Sequence, residues 1–436
     1  MPVHTGIRVK TVEDKDTVMK SSYLNIKRNN KVRFTGIILL LLISALSFGQ
    51  DSTNVSAKKE KKFRFLPLPA FAVTPTTGWM LGIAPGAYWM MGDKSNTSLS
   101  SALGTLIFTQ KKQVLITAKA NTFFKGDTWN MLTDIRYFIN SQPTYGLGTG
   151  PQSAKPVGTG GVDFAGNPYQ AIETSQMMEF NYLRVHNTLM KRYGDSRFFF
   201  GLGYHLDYHS KINDNLLNLD TVPQIITSHY GYSTIKGFDP TEYWLSGVSF
   251  NFLYDSRDNA VNPYSGRYAF ANIRINPEFL GSTKNSSILW LEYRDYLHFS
   301  KTRPRHLIGL WTYGWFQTSG TVPYMDLPAV GWDQFGRSGR AYTQGRFRGE
   351  DLIYTELEYR VPLQRNKDTF GAVAFINGTT ASNREADISL YEYLDIGYGV
   401  GLRVMIMKKS RANLSIDYAW GNYGAQGFYF GLNEAF

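Results

Sequence analysis

Apolar and polar residues alternate along most of this chain with a period of two, which is typical of β-strands and not of helices. The alternation is clearest near the C-terminus, where apolar residues from Leu394 to Ile406 take one strand face, while Asp395, Arg403 and three glycines take the other. The same period predicts sixteen strands, at residues 65–74, 79–91, 97–109, 113–124, 127–140, 176–191, 196–210, 243–255, 266–277, 285–300, 304–318, 351–363, 368–377, 393–408, 411–421 and 427–436.

The strands and their connections together indicate a membrane barrel. Many segments are longer than the usual strand of a soluble domain, and a tilted membrane-spanning strand needs about 9–11 residues. Short turns mostly follow the even-numbered strands, whereas long connections at 141–175, 211–242, 319–350 and 378–392 follow odd-numbered ones. A soluble sandwich has no reason to sort its loops in this way. We therefore expect an all-β fold, a 16-stranded antiparallel transmembrane β-barrel of the bacterial outer membrane, with periplasmic turns and external loops.

Residues 1–49 are typical of a targeting segment. Four basic residues between Lys27 and Arg33 precede an apolar run of 15 residues, Phe34–Phe48, and Ser47 and Gly49 are small residues suited to cleavage. The run is shorter than the roughly 20 residues of a spanning helix, so we favour a cleaved signal peptide over an anchor, with Met19 as an alternative start. A polar linker at 50–62 then leads to the barrel at 63–436.

Composition excludes several classes of function. Aromatic residues make up 15% of the chain, which suits the interfaces of a membrane, and without cysteine there are no disulfides. The net charge of +11 resembles that of a nucleic-acid-binding protein, but +5 of it lies in residues 1–49 and the rest forms no long basic stripe. No phosphate-binding loop, Gly-x-Ser-x-Gly motif or Cys/His metal spacing is present. We therefore expect no nucleic-acid partner, no metal, no cofactor and no enzymatic activity.

The last ten residues favour the same location. Phe428, Phe430 and Leu432 share one strand face, and the sequence ends on the aromatic Phe436. A barrel of the outer membrane often ends in this way, since its last strand must close against its first. The expected partners are outer-membrane lipid, lipopolysaccharide and the barrel assembly machinery that inserts such proteins.

One turn on the short-turn side is long. It covers Asp255–Gly266, in which Asp255, Arg257 and Asp258 are able to tie the chain internally, while Asn262, Pro263 and Gly266 suit a tight turn. This segment resembles the D-x-R-D…N-P-x-x-G signature of the bacterial surface antigen domain, the barrel of the BamA/TamA (Omp85) superfamily.

Two further segments carry the resemblance, which extends over about 63–436. Gly339–Arg348 is similar to the family's Arg-Gly-aromatic loop motif and the Gly-Arg-aromatic-Arg that follows it, and Glu356-x-Glu358-x-Arg360 is similar to the next strand of the family. The resemblance implies a loop locked inside the barrel, with Arg340 paired to Glu356, Glu358 or Asp395 and with Tyr342, Gly345 and Arg346 in the same motif. The residues alone also allow an exposed loop whose arginines face water or lipopolysaccharide phosphate.

This chain departs from the family pattern at one position. Ala341 replaces the glycine that follows the arginine, and alanine is strained where φ is positive. We therefore expect a different loop tip, or Arg348-Gly349 in that role.

Two other clusters of side chains are compatible either with a structural role or with a binding or catalytic site. His205, Asp207 and His209 alternate on one strand face, which fits a metal site or a His-Asp catalytic pair, but ordinary lining of the barrel lumen is favoured because no nucleophile or further ligand is evident. Trp311, Tyr313 and Trp315 are interpreted as girdle and packing residues rather than a sugar site.

The resemblance implies a role in inserting or translocating proteins. The best-known members carry periplasmic POTRA modules, and residues 50–62 are too few for such a module, which needs its own α/β fold. We expect a barrel that acts alone or with a separate periplasmic partner on client proteins, through a weak seam between the first strand, interrupted by Pro67 and Pro69, and the last. The alternative is a passive channel or transporter in which loop 319–350 constricts the lumen.

Overall fold

The computed structural model describes residues 63–74, 77–154, 169–170, 172, 175–334, 336–365, 367–408 and 411–436. The expected signal peptide and linker lie outside the described residues.

The described part of the chain forms one antiparallel sheet of 16 strands, in which each strand pairs with its neighbours in sequence. The strands are β1 Phe63–Thr74, β2 Gly78–Trp89, β3 Ser100–Thr109, β4 Val114–Phe123, β5 Trp129–Thr144, β6 Gln176–Arg192, β7 Phe198–Asp214, β8 Tyr243–Asp255, β9 Gly266–Asn276, β10 Ser286–His298, β11 Leu307–Gly320, β12 Asp351–Pro362, β13 Phe370–Ala381, β14 Asp395–Met407, β15 Ala412–Gly421 and β16 Gln426–Leu432. Each predicted segment corresponds to one of these strands, so the all-β antiparallel fold is confirmed.

The strands are apolar on the outside and polar on the inside. In β14, Tyr398, Val400 and Leu402 are exposed, whereas Asp395 and Arg403 on the opposite face are buried. A soluble protein buries its large apolar side chains, while a membrane barrel turns them outward. The period of two therefore places charged strand residues such as Asp395 and Arg403 in the interior.

Long loops fill much of that interior. Helix α1, Pro151–Ala154, lies between β5 and β6, and helix α2, Ser228–Lys236, lies between β7 and β8. Short 3₁₀ turns occur at Lys125–Asp127, Glu278–Leu280, Tyr324–Asp326, Arg384–Ala386 and Asn422–Gly424. In the parts of the chain described, no helix has both the length and the apolar character needed to cross a membrane. A buried apolar cluster joins α2, strands β6 to β8 and the loop 321–350 between β11 and β12.

Trp311 and Tyr313 correct one expectation. Both side chains are buried inside rather than placed in an outer girdle. The ring of Trp311 lies 5.5 Å from that of Phe436 and 5.4 Å from that of Tyr354. These aromatics therefore act as packing residues, and their assignment to a girdle is wrong.

The two edge strands of the sheet, β1 and β16, lie close together but do not pair as the other neighbouring strands do. Cα atoms of β1 and β16 approach within 8 Å, yet no hydrogen-bonded ladder joins these strands among the described residues. The last strand is also short, at 7 residues, because the chain leaves it after Leu432. Asn433 has a positive φ of 70° and turns the tail inward.

Candidate functional site

The loop 321–350 brings Arg340 to the inner wall of the barrel. The Arg340 guanidinium donates to Glu356 (Nη2 to Oε1, 2.6 Å), to Asp417 (Nη1 to Oδ2, 2.9 Å) and to Glu358. Its guanidinium carbon also lies 3.5 Å from the centre of the Phe375 ring. We call Arg340, Glu356, Glu358 and Asp417 the loop latch.

The strand period places the carboxylates of the latch. Glu356 and Glu358 alternate on β12 and are completely buried, while Leu357 between them is exposed on the outer face. Asp417 reaches the same point from β15. A bidentate guanidinium–carboxylate pair is among the stronger charge-assisted contacts in proteins, so the latch fixes both the position and the orientation of the loop.

Two carboxylates of the latch also form ion pairs with neighbouring arginines. Arg360 donates to Glu358 (Nε to Oε2, 2.6 Å), and Arg403 binds Asp417. Glu356 has Arg340 as its one cationic partner within the described chain, supplemented by the Tyr354 hydroxyl at 2.6 Å. Burial acts to lower the pKa of Arg340, but the three carboxylates outweigh it and raise that pKa well above its usual range.

Ala341 adopts a backbone conformation that glycine would favour. Its φ is 100°, a strained value for a residue with a Cβ atom. Its amide donates to the Tyr429 hydroxyl of β16 at 3.1 Å, and the next residue, Tyr342, donates to the carbonyl of Ile396 at 2.5 Å. The loop tip therefore keeps this backbone conformation despite the substitution.

Small residues on the facing strands receive this tip. A Cβ atom on Gly397 would lie 2.7 Å from the carbonyl oxygen of Arg340, and one on Gly421 would lie 2.7 Å from the Tyr342 ring. These close approaches show that the loop occupies the room left by small lumenal residues.

The second part of the loop motif is also buried. Arg346 lies 4.5 Å from the centre of the Tyr145 ring, and Arg348 donates to the carbonyl of Tyr324 at 2.7 Å. Burial lowers the pKa of both arginines. Gly345 precedes them with a φ of 76°. The interpretation of this loop as exposed to water or lipopolysaccharide is wrong.

Asp395 corrects the expected list of latch partners. Its carboxylate accepts from the Asn422 side chain at 2.9 Å and from the Gly150 amide at 3.0 Å, and it forms no ion pair with Arg340 among the described contacts. Asp417 takes that place and was missed. The signal was available, since Asp417 also sits on the polar face of its strand, but parity does not distinguish between two such carboxylates.

The turn between β8 and β9 is tied both internally and to a second turn. Asp255 binds Arg257 (Oδ2 to Nη2, 2.7 Å), and Asp258 accepts from the amide of Tyr264 at 2.9 Å. Asp258 also binds Arg411 of the β14–β15 turn at 2.7 Å. The buried side chain of Asn262 donates to the Arg411 carbonyl at 3.1 Å. The signature thus joins turns that belong to separate parts of the sheet.

Pro263 and Gly266 of the signature shape the backbone of this turn. Pro263 is buried beside Asn262. Gly266 has a φ of 98°, and a Cβ atom there would lie 2.3 Å from the Ser256 carbonyl oxygen. Glycine is therefore required at this position for both conformation and space.

The C-terminal aromatics divide between the two faces of the wall. Phe428 and Phe430 are exposed on the outside of β16, whose last residue is Leu432, whereas Phe436 is buried inside. The Phe436 carbonyl oxygen accepts from Arg360 at 2.9 Å, and Glu434 binds Arg403 at 2.5 Å. The final four residues thus form an inward tail instead of continuing the strand predicted to end at 436.

His205, Asp207 and His209 line the interior, and Asp207 is the centre of a charge network. Its carboxylate accepts from Arg184 at 2.8 Å, Arg274 at 2.6 Å and His186 at 2.8 Å. His205 instead contacts the Ser249 hydroxyl at 2.7 Å. In the described part of the chain, no group of three or more His, Asp or Glu residues has an arrangement that would hold a metal.

Comparisons with known proteins identify relatives. A family model described as the Omp85 superfamily domain matches residues 166–436. The crystal structure of BamA from Haemophilus ducreyi lacking POTRA domains 1–3 is similar, with a TM-score of 0.53 and 14% identity over 86% of this chain and 70% of that chain. At this identity the likeness concerns the fold.

A second solved structure is more distant. CdiB from Acinetobacter baumannii gives a TM-score of 0.49 at 12% identity, over 86% of this chain and 60% of that chain. The match therefore spans less than two thirds of CdiB. A search of curated proteins found no match.

Proposed function

The chain belongs to the Omp85 superfamily, and from this premise we propose that it is an outer-membrane barrel that assists the insertion or translocation of other proteins. It acts alone or with a separate periplasmic partner. The observation that carries this proposal is the absence of a ladder between β1 and β16 among the described residues, since an insertase that opens sideways needs one weak strand pair.

The sequence of β1 explains why this pair is weak. Pro67 lies opposite Pro85 of β2. Because neither residue has an N–H group, they cannot form a hydrogen-bonded pair, and their backbone groups point away from each other. Pro67, and Pro69 two residues later, therefore remove donors from the edge of β1 that faces β16. Fewer hydrogen bonds between β1 and β16 then compete with an incoming substrate strand, whose backbone N–H groups bond to the carbonyl groups of this edge.

Strand crosslinking tests the seam. The chain lacks cysteine, so introduced thiols are the only ones. Phe65→Cys in β1 and Phe430→Cys in β16 occupy exposed outer positions, and thiol-to-thiol crosslinkers of increasing length would join them. In liposomes, residues 50–436, without the expected signal peptide, should accelerate the folding of an unfolded barrel protein into the bilayer. The crosslink between β1 and β16 should abolish this acceleration.

The matched control keeps one cysteine in place. Ile416 and Phe430 are direct partners in the β15–β16 ladder, so a crosslink between Ile416→Cys and Phe430→Cys restrains a pair that is already closed. It should leave the acceleration intact. Equal inhibition by both crosslinks, or no acceleration by the wild-type protein, would refute the proposed role.

A cavity in the lumen favours a second candidate, a channel or transporter. The cavity has a volume of about 160 Å³ and is lined by Arg184, Asp207, Trp290, Trp332 and others. The loop 321–350 forms part of its lining through Trp332 and Asp333. Single-channel conductance that increases strongly when this loop is shortened, in a protein without folding activity, would favour this candidate.

We propose no enzymatic role. Asp207 binds His186 rather than His205, so the residues on this strand do not form a Ser-His-Asp relay. His205→Ala should leave the folding activity unchanged. A hydrolytic activity lost in this variant would overturn that view.

A further inference from the structure

Three buried hydrogen-bond donors converge in front of Gly345. A Cβ atom on this glycine would have, as its three nearest atoms, Arg348 Nη2 at 3.5 Å, Trp332 Nε1 at 3.6 Å and Gln142 Nε2 at 3.7 Å. Each of these nitrogens is buried and lacks a hydrogen-bond partner. Their common neighbourhood thus offers donors on three sides.

The positive charge of this neighbourhood, on Arg348, has no carboxylate in direct contact, and Asp326 acts on it only from beyond ion-pair distance. Arg348 is 1% exposed, and its polar contacts are the carbonyl oxygens of Tyr324 and Leu327. Within the described residues, it forms no ion pair with a carboxylate. Arg340, in the same loop, has three carboxylate partners. A buried cation without a counter-charge is costly, and burial lowers the pKa of Arg348 accordingly.

The donors come from two separate elements. Gln142 belongs to β5, while Trp332 and Arg348 belong to the loop 321–350. The Gln142 amide is oriented by Asn140, whose side chain donates to its oxygen at 3.4 Å and so directs its nitrogen inward. Whatever accepts from all three groups therefore fastens the loop to the wall of the barrel.

We propose that Gln142, Trp332 and Arg348 bind a small monovalent anion in front of Gly345. The anion supplies the negative charge that Arg348 lacks and accepts from all three donors, and the missing side chain of Gly345 leaves space for it. It docks the loop on β5, whereas the loop latch docks it on β12 and β15. The site is independent of the proposed role in protein insertion.

Chloride is the probe for this site. Thermal unfolding of the purified full chain in detergent would be followed at constant ionic strength while chloride replaces gluconate, which is too large for the site. The unfolding midpoint should rise with chloride and then saturate. Trp332→Phe keeps an aromatic ring but removes one N–H, and it should raise the half-saturating chloride concentration at least about tenfold, because one bond to a charged group is lost.

Two further variants complete the test. Trp420→Phe changes an outward-facing tryptophan and should respond to chloride as the wild type does. Arg348→Met should abolish the response, and if it fails to fold, Trp332→Phe still decides the question. Identical responses to chloride and gluconate, or an unchanged response in Trp332→Phe, would overturn the proposal, since Gln142 would then turn its amide oxygen toward Arg348 and serve as the acceptor.

Discussion

Replacing Arg340 by methionine tests the loop latch directly. Methionine keeps a long side chain but removes the charge. Glu358 retains Arg360 and Asp417 retains Arg403, whereas Glu356 loses its one cationic partner in the described structure. Removing one partner of a buried ion pair typically costs about 3–5 kcal/mol, and the lost contact with the Phe375 ring adds about 0.5–2 kcal/mol.

We therefore expect Arg340→Met to lower the free energy of unfolding by about 3–5 kcal/mol, because protonation of Glu356 offsets part of the loss. The measurement is urea unfolding in lipid vesicles, followed by tryptophan fluorescence. The control is Arg384→Met, which breaks a pair with Asp351 whose arginine is 46% exposed. This surface pair should contribute less than about 1 kcal/mol.

A double variant separates charge from packing. If the isolated carboxylate causes the loss, Arg340→Met combined with Glu356→Gln should recover at least about 2 kcal/mol, since no buried charge is then left without a partner. A loss in Arg340→Met no larger than that in Arg384→Met would refute the reasoning. So would a double variant that is no more stable than the single one.

Three further predictions follow from the backbone and the tail. Ala341→Gly should stabilise the barrel by about 0.5–1 kcal/mol in the same unfolding assay, because glycine accepts the positive φ without strain. Gly266→Ala should cost at least about 2 kcal/mol through its contact with a carbonyl oxygen, whereas Gly194→Ala, with a φ of 54° and nothing within 4 Å, should cost about 1 kcal/mol. Burial acts to raise the pKa of Glu434, but Arg403 outweighs this effect and the pKa is lowered. The contact between Glu434 and Arg403 should therefore persist above the ordinary carboxyl pKa and be lost on acidification. Carboxypeptidase should then digest the wild-type tail faster at acidic pH, and it should digest the Glu434→Gln tail faster already at neutral pH.

The fold was predictable because its signal is local. Alternation of apolar and polar residues defines a strand and its two faces without knowledge of any partner, and each predicted segment overlaps an observed strand. The same parity placed Glu356 and Glu358 on the inner face. Strand ends were less well predicted, since β5, β7, β11 and β13 extend further than their apolar pattern toward the long loops.

The partners inside the barrel were not predictable from parity. Asp395 and Asp417 both occupy inner faces, and the choice of Asp417 for Arg340 depends on the path of a loop that joins two distant strands. The inward tail was missed for a related reason. Phe436 continues an alternation that fits a strand, but buried Arg360 and Arg403 provide polar partners inside for the tail residues Glu434 and Phe436.

Among the attachments of the loop 321–350 to the barrel wall, the one beside β16 and the one at Gln334 on β5 are unequal. On one side Ala341 donates to Tyr429 of β16, next to the charged latch; on the other, the carbonyl of Gln334 accepts from Arg136 of β5 at 2.7 Å. The latch joins one guanidinium to three carboxylates, while the contact at Gln334 involves a neutral carbonyl. Since hydrogen bonds between charged groups are the stronger ones, the contact at Gln334 should break first when β1 and β16 separate. The segment around Gln334 would then leave Arg136 and give room to an incoming strand, while the latch keeps Arg340 on β12 and β15.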